Sequence, residues 1–307
     1  MGYLFLGLAL VAGLTKGFCG KKTSAAVVLG SDSMIMNVLR MCLCILIGFL
    51  LLLAGGDLAS LAVDGRVLAI TLLSGVASAA FVVSWLLSVR SGAYMMVEVF
   101  LLLGVLVPIL LCRILFDERI TVWQMVGMAV LLVAVYLMCT YNASIKGKMN
   151  GKAILLLILC GLSNGFADFS QKLFVKTRPE GSIAAFNFYT YLFAAAVLLV
   201  AYFVFRTLDV RGGHAPRAPL AVIRPILLYV VVMAVCLFAY SYFKTAAAQY
   251  LDAVLLYPLS QGCAVTFSLL MAAFLFKERI NGRCIIGVVL SFFALLLINL
   301  DIAALLS

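Results

Sequence analysis

Ten apolar runs, each close to or above the roughly 20 residues that carry a helix across a bilayer core, decide what this chain can fold into. They fall at 2–19, 34–54, 67–88, 92–115, 121–141, 152–175, 183–206, 225–247, 251–276 and 282–300. Little of the 307 residues is left over for a soluble domain. With 66% hydrophobic and 11% charged residues, the chain lies far from the composition of water-soluble domains. Within lipid every backbone N–H and C=O needs a partner inside its own segment, so runs of this length are helices. The residue-by-residue alternation of a membrane barrel strand is absent. The expected fold is an all-α polytopic membrane protein of ten transmembrane helices with short connections. No basic region precedes the first run, so no cleaved leader is expected.

The net charge of +10 does not mark a nucleic-acid site, because no basic cluster is interleaved with aromatics. Lysine and arginine in such a chain belong to cytoplasmic loops and lipid headgroups. Counted by connection, they favour the odd-numbered ones, including Lys21, Arg90, Lys146 and Arg211, over the even-numbered ones, which take in Arg66, Lys172 and Lys244. Nine cysteines follow no metal spacing and read as small buried hydrophobes. The one histidine, His214, sits in the polar connection before the eighth run. No nucleophile–base set and no phosphate-cradling loop occurs. Neither a catalytic centre, a metal nor a cofactor is expected, and with no nucleotide-binding motif in the sequence, ATP hydrolysis is not expected to drive work unless a partner supplies it.

The sequence repeats itself. Phe116-Asp-Glu118-Arg119-Ile120 matches Phe276-Lys-Glu278-Arg279-Ile280, and the same register pairs Gly127 with Gly287 and Ala134 with Ala294. Gly13-Leu-Thr-Lys16-Gly17 matches Gly161-Leu-Ser-Asn164-Gly165. Phe81, Ser84 and Trp85 match Phe238, Ser241 and Tyr242. Three matches in one order divide the chain into halves of five helices, 1–145 and 150–307. An odd number per half sends the second half into the membrane from the opposite side. The halves are then inverted repeats, the arrangement that gives two related states around a midplane site, one open to each side.

The runs Phe116–Gly127 and Phe276–Gly287 resemble the signature of the drug/metabolite transporter superfamily in its ten-helix, EamA-like branch. The resemblance extends over the chain through helix count, five-plus-five repeat and a signature in each half. It implies a multi-pass protein of the plasma (inner) membrane that moves a small-molecule substrate; a proton or a cation is a candidate coupling partner, and the coupling ion is left open. It leaves substrate, direction, orientation and oligomeric state open. Two departures stand out. A proline precedes the signature glutamate in the second half, Pro258 before Glu278, while the first half has Glu98 in that place. The small multidrug relatives carry a membrane glutamate where this chain has Gly13 or Leu14, so their cation exchange is not carried over by that residue.

Polar side chains inside apolar helices are costly and mark function or pairing. Glu98, in Tyr94-Met-Met-Val-Glu98, is expected to bind a cationic group or cycle a proton, or else to be a paired structural carboxyl. Lys16 is expected to hold an anionic group, pair with Glu98, or snorkel to the headgroups. Gly13–Gly17 and Gly161–Gly165 have the spacing of close helix approach. Asn164, Asp168 and Gln171 share one helix face and read as cavity lining or interhelical hydrogen bonding. Tyr257 and Gln261 flank Pro258, which is expected to break its helix, while Pro108 kinks its own; each frees a carbonyl toward a cavity. Trp85, Tyr240 and Tyr242 are an aromatic set suited to an ammonium group or to the interface belt. Glu118 and Glu278 are expected to be structural, at the starts of the helices that follow them. The function expected is secondary transport of a small polar metabolite by alternating access, with Glu98 and the aromatics favouring a cationic or zwitterionic amine. The alternatives are a flippase for a lipid or lipid-linked substrate and a non-transporting membrane sensor.

Overall fold

The computed structural model describes residues 1–23, 27–90, 94–139, 151–215, 217–274 and 282–299. In chain order the helices are α1 (Gly2–Thr23), α2 (Gly30–Ala54), α3 (Gly65–Arg90), α4 (Tyr94–Gly104), α5 (Leu106–Phe116), α6 (Val122–Cys139), α7 (Gly151–Thr177), α8 (Ile183–Arg211), the short α9 (Pro219–Ile223), α10 (Leu227–Ala248), α11 (Ala253–Phe274) and α12 (Gly282–Asn299). All ten expected spans fall on helices, and the fourth falls on two. Among the described residues, six helices are long and apolar enough to cross a membrane by length and composition, and four shorter apolar helices accompany them. Leu50, Ile114, Val200, Phe203, Leu228 and Phe293 are exposed, which is where lipid replaces water. The chain is an all-helical polytopic membrane protein.

Local chemistry explains the helix starts. Thr121 and Gln124 form a reciprocal capping box at α6: the Thr121 N–H donates to Gln124 Oε1 at 2.9 Å and the Gln124 N–H to Thr121 Oγ1 at 3.3 Å. Asp64 accepts the Val67 N–H at 2.9 Å ahead of α3, and Asp32 accepts the Leu29 N–H at 3.2 Å at the head of α2. Asp64 also pairs with Arg178, whose guanidinium holds the carboxyl below its ordinary range.

The chain forms two compact units. One comprises Met1–Ala79 with Leu173–Gln249, the other Ala80–Lys172 with Tyr250–Ser307. Each takes residues from both sequence halves, so compactness and sequence repetition divide the chain differently. In the first unit α1 packs on α10 and α2 on α8; in the second α6 packs on α12. Gly75 lets α3 lie against α8, since a Cβ there would stand 2.6 Å from the Thr190 carbonyl oxygen. Gly127 does the same for α6 against α12, at 3.0 Å from the Ala294 carbonyl oxygen, and Ala134 and Ala294 are buried on the same two helices.

Pro108 interrupts its span as expected, but its freed carbonyl and the course of the helix at Pro258 differ from expectation. The fourth span breaks at Val105, three residues before Pro108. Pro108 has no N–H for the Gly104 carbonyl, and its ring crowds that carbonyl. The freed oxygen is packed against Gly165 rather than turned to a cavity. Pro258 does not break its helix: α11 runs unbroken from Ala253 to Phe274. It borders a small apolar void of about 10 Å³ with Leu102, Val105, Leu106 and Leu131, not a polar cavity.

Candidate functional site

A polar cluster lies inside the first unit, built from four helices. Lys16 comes from α1, Arg40 and Cys44 from α2, one turn apart, Asn187 and Tyr191 from α8, and Tyr240, Ser241 and Lys244 from α10. Tyr240 is its centre. Lys16 Nζ lies 4.7 Å from the ring centroid and Lys244 Nζ 5.4 Å. Lys244 also donates to the Tyr240 hydroxyl at 3.2 Å. Gly13 makes this possible: it sits one turn before Lys16, and a Cβ there would stand 3.2 Å from Tyr240 Cδ2. Lys16 is within electrostatic reach of Arg40, Lys244 and Cys44. Around these cations the neutral groups are bonded to one another or to the α10 backbone. Ser241 donates to Asn187 Oδ1 at 2.6 Å, the Tyr191 hydroxyl to the Leu237 carbonyl at 3.3 Å, and the Cys44 thiol to the Ala234 carbonyl at 3.3 Å.

The second unit holds a buried ion pair. Glu118 and Lys172 meet at 3.2 Å, their side chains 5% and 2% exposed. The second Glu118 oxygen accepts the Ala253 N–H at 2.7 Å, and Lys172 donates to the Leu251 carbonyl at 2.5 Å. A carboxylate thus caps α11, where a negative charge meets the positive end of the helix dipole. Asp117 delivers it. Its left-handed backbone, φ 53°, ends α5, and aspartate is one of the few residues that tolerates that conformation. Glu118 is structural as expected, but it serves α11 rather than the helix that follows it. Glu278 and Arg279 lie outside the described residues.

An intramembrane cluster of cations and a capped, ion-paired helix start are features of a scaffold that is polar inside and apolar outside. The EamA-like transporter family matches residues 151–300. Those residues belong to the EamA-like transporter family. The match covers α7 through α12, including the α8 and α10 residues of the cationic cluster. A crystal structure of another protein is similar over the whole chain, with a TM-score of 0.80, 16% identity, and coverage of 100% of this chain and 99% of the other. At that identity the likeness is one of fold. No curated protein matches the chain.

Of the residues singled out from sequence, Lys16 and Tyr240 come together in the first unit. Tyr242, two residues from Tyr240 and so on another face of α10, joins an aromatic stack instead. It lies 6.2 Å from Phe238 and 5.7 Å from Phe243, centroid to centroid, and packs beside Leu52 and Ala185. In the second unit Asp168 and Gln171 are buried and Asn164 half-buried, all on α7. Tyr257 is fully buried and its hydroxyl donates to the Asp168 backbone carbonyl at 2.6 Å, which ties α11 to α7. Gln261 is half-buried on α11. Trp85 packs on Val97, Leu101, Leu157 and Cys160. The side chains of Tyr94 and Glu98 lie outside the described residues. Sequence reasoning missed Arg40, whose signal was a charge inside the apolar run 34–54. It also placed Lys172 and Lys244 among the connections, whereas both are inside helices and nearly inaccessible.

Proposed function

We propose that the chain is a secondary transporter of the plasma (inner) membrane that moves a small polar metabolite by alternating access. The observation that carries this reading is the convergence of Lys16, Arg40, Tyr240 and Lys244 inside otherwise apolar helices, in a chain whose C-terminal half matches a transporter family. Charges in such positions cost free energy that packing alone does not return, and a substrate path is the use that offsets it. Inverted repeats supply the two states. Their support is that repeat-related helices pair, α2 with α8 and α6 with α12. Glu98 is the carboxyl assigned to coupling.

Cys44 provides the test, because its thiol sits among the cationic side chains. In a variant with Cys44 as the one remaining cysteine, reconstituted in a single orientation, a membrane-impermeant thiol reagent is expected to modify it from either face. Modification from one face alone, whatever solutes are present, contradicts alternating access.

A further inference from the structure

The charge of the cluster in the first unit identifies what it takes. This inference rests on the transporter reading above and names its substrate class. Lys16 and Arg40 come from α1 and α2, and both are half-buried inside apolar helices. Among the described residues no ion pair joins either of them to a carboxylate; the pairs in this unit include Arg178 with Asp64 and Arg217 with Asp32. The unit's carboxylates, Asp32, Asp57, Asp64, Glu180 and Asp209, all lie at helix ends or in connections. Arg40 Nε is shielded from solvent and meets no hydrogen-bond acceptor among the described residues. Its guanidinium does not lose its proton in proteins, so the charge stays.

The Tyr240 ring offsets part of this. A cation on a tyrosine face is attracted by the ring quadrupole, but Lys16 and Lys244 share one ring, and the two cations repel each other. An uncompensated charge within a membrane helix costs more than one such contact returns. The remaining deficit is met by an anion. The guanidinium fork adds geometric preference, because its paired N–H groups match the two oxygens of a carboxylate or a phosphate. Tyr191, Ser241 and Cys44 already donate to acceptors on neighbouring helices, whereas Arg40 Nε has no acceptor among the described residues.

We infer that Lys16 and Arg40, with Lys244 beside them, bind the anionic group of the transported metabolite, a carboxylate or a phosphate ester. The amine expected from sequence was carried by Glu98, whose side chain lies outside the described residues; the described cluster has the opposite charge preference.

The test is thermal stabilisation of the purified full chain in neutral detergent, since a ligand that binds the folded state raises the melting temperature. The probes are succinate and glycerol 3-phosphate, their neutral counterparts succinamide and glycerol, choline, and phosphatidylglycerol added to the micelle. The expected result is a saturable shift of several degrees with succinate or glycerol 3-phosphate and none with the neutral compounds or choline. Arg40→Gln and Lys16→Met then lower the apparent affinity at least tenfold, while Lys22→Gln, which removes an exposed cation from the same helix, leaves it unchanged. An unligated melting temperature close to that of the parent shows that the variants are folded. Anion shifts that survive Arg40→Gln overturn the inference, and so does a response to phosphatidylglycerol alone, which assigns the cluster to a lipid headgroup. If choline or a neutral compound stabilises the protein and enters vesicles while anions do neither, the inference falls and the transporter reading stands. If no probe stabilises or crosses, both fall.

Discussion

Glu118→Ala lowers stability by about 3–5 kcal/mol, the scale of breaking a buried ion pair from one side, read as a drop in melting temperature of the detergent-solubilised protein. Two losses combine. Lys172, 2% exposed, keeps its charge and its bond to Leu251 but loses its counter-ion. The α11 start loses the acceptor for the Ala253 N–H. Glu118→Gln separates them, because the amide oxygen still accepts from Ala253 while the charge is gone; it is expected to fall between the parent and Glu118→Ala. Pairing Glu118→Gln with Lys172→Met removes both charges, and the combined cost is expected to be smaller than the sum of the single costs, as coupled sites require. Additive costs would mean that the two side chains do not act as a pair.

Gly161→Ala is the second large effect. In the second unit Gly104, Gly161 and Gly165 bring helix backbones into direct contact. A Cβ at Gly161 would overlap the Phe100 carbonyl, one at Gly165 the Gly104 carbonyl, and one at Gly104 the Gly161 carbonyl. The obstacle is backbone, not the end of a flexible side chain, so the helices themselves must part. Overpacking of this kind costs about 1–3 kcal/mol for a methyl group, and Gly161→Val is expected to cost more. Gly17→Ala, at the place in the N-terminal repeat that matches Gly165, is the contrast. Nothing lies within 4 Å of its Cβ position, so the better helix propensity of alanine is expected to stabilise the protein by about 0.5–1 kcal/mol. Equal melting temperatures for Gly161→Ala and Gly17→Ala would show that the contact is not tight.

These two results mark where the sequence is legible and where it is not. Helix positions follow from apolar length, because lipid admits one open-ended solution, and the ten runs coincide with helices. The Gly–x–x–x–Gly spacing is the same at Gly13–Gly17 and Gly161–Gly165, yet only the second pair meets another backbone; in the first pair Gly13 makes room for the Tyr240 ring. Spacing fixes a shared helix face but not what faces it. The role of Glu118 is hidden for a similar reason, since its partner N–H is 135 residues away. Lys172 and Lys244 sit near the ends of apolar runs, where composition alone does not distinguish a buried charge from a loop. Arg40 is visible as a charge inside the run 34–54, but nothing in that run shows that Lys16 and Tyr240 lie near it, which is why it was missed.

Alternating access and substrate class both reduce to whether solute crosses. Flux into proteoliposomes containing the purified chain and no ATP, with labelled succinate or glycerol 3-phosphate outside and the same compound unlabelled inside, measures this directly. The account predicts saturable uptake, accelerated by the internal solute, and lost in Arg40→Gln. Stabilising binding of these anions with no entry above empty vesicles would contradict it and would make the protein a membrane sensor rather than a transporter.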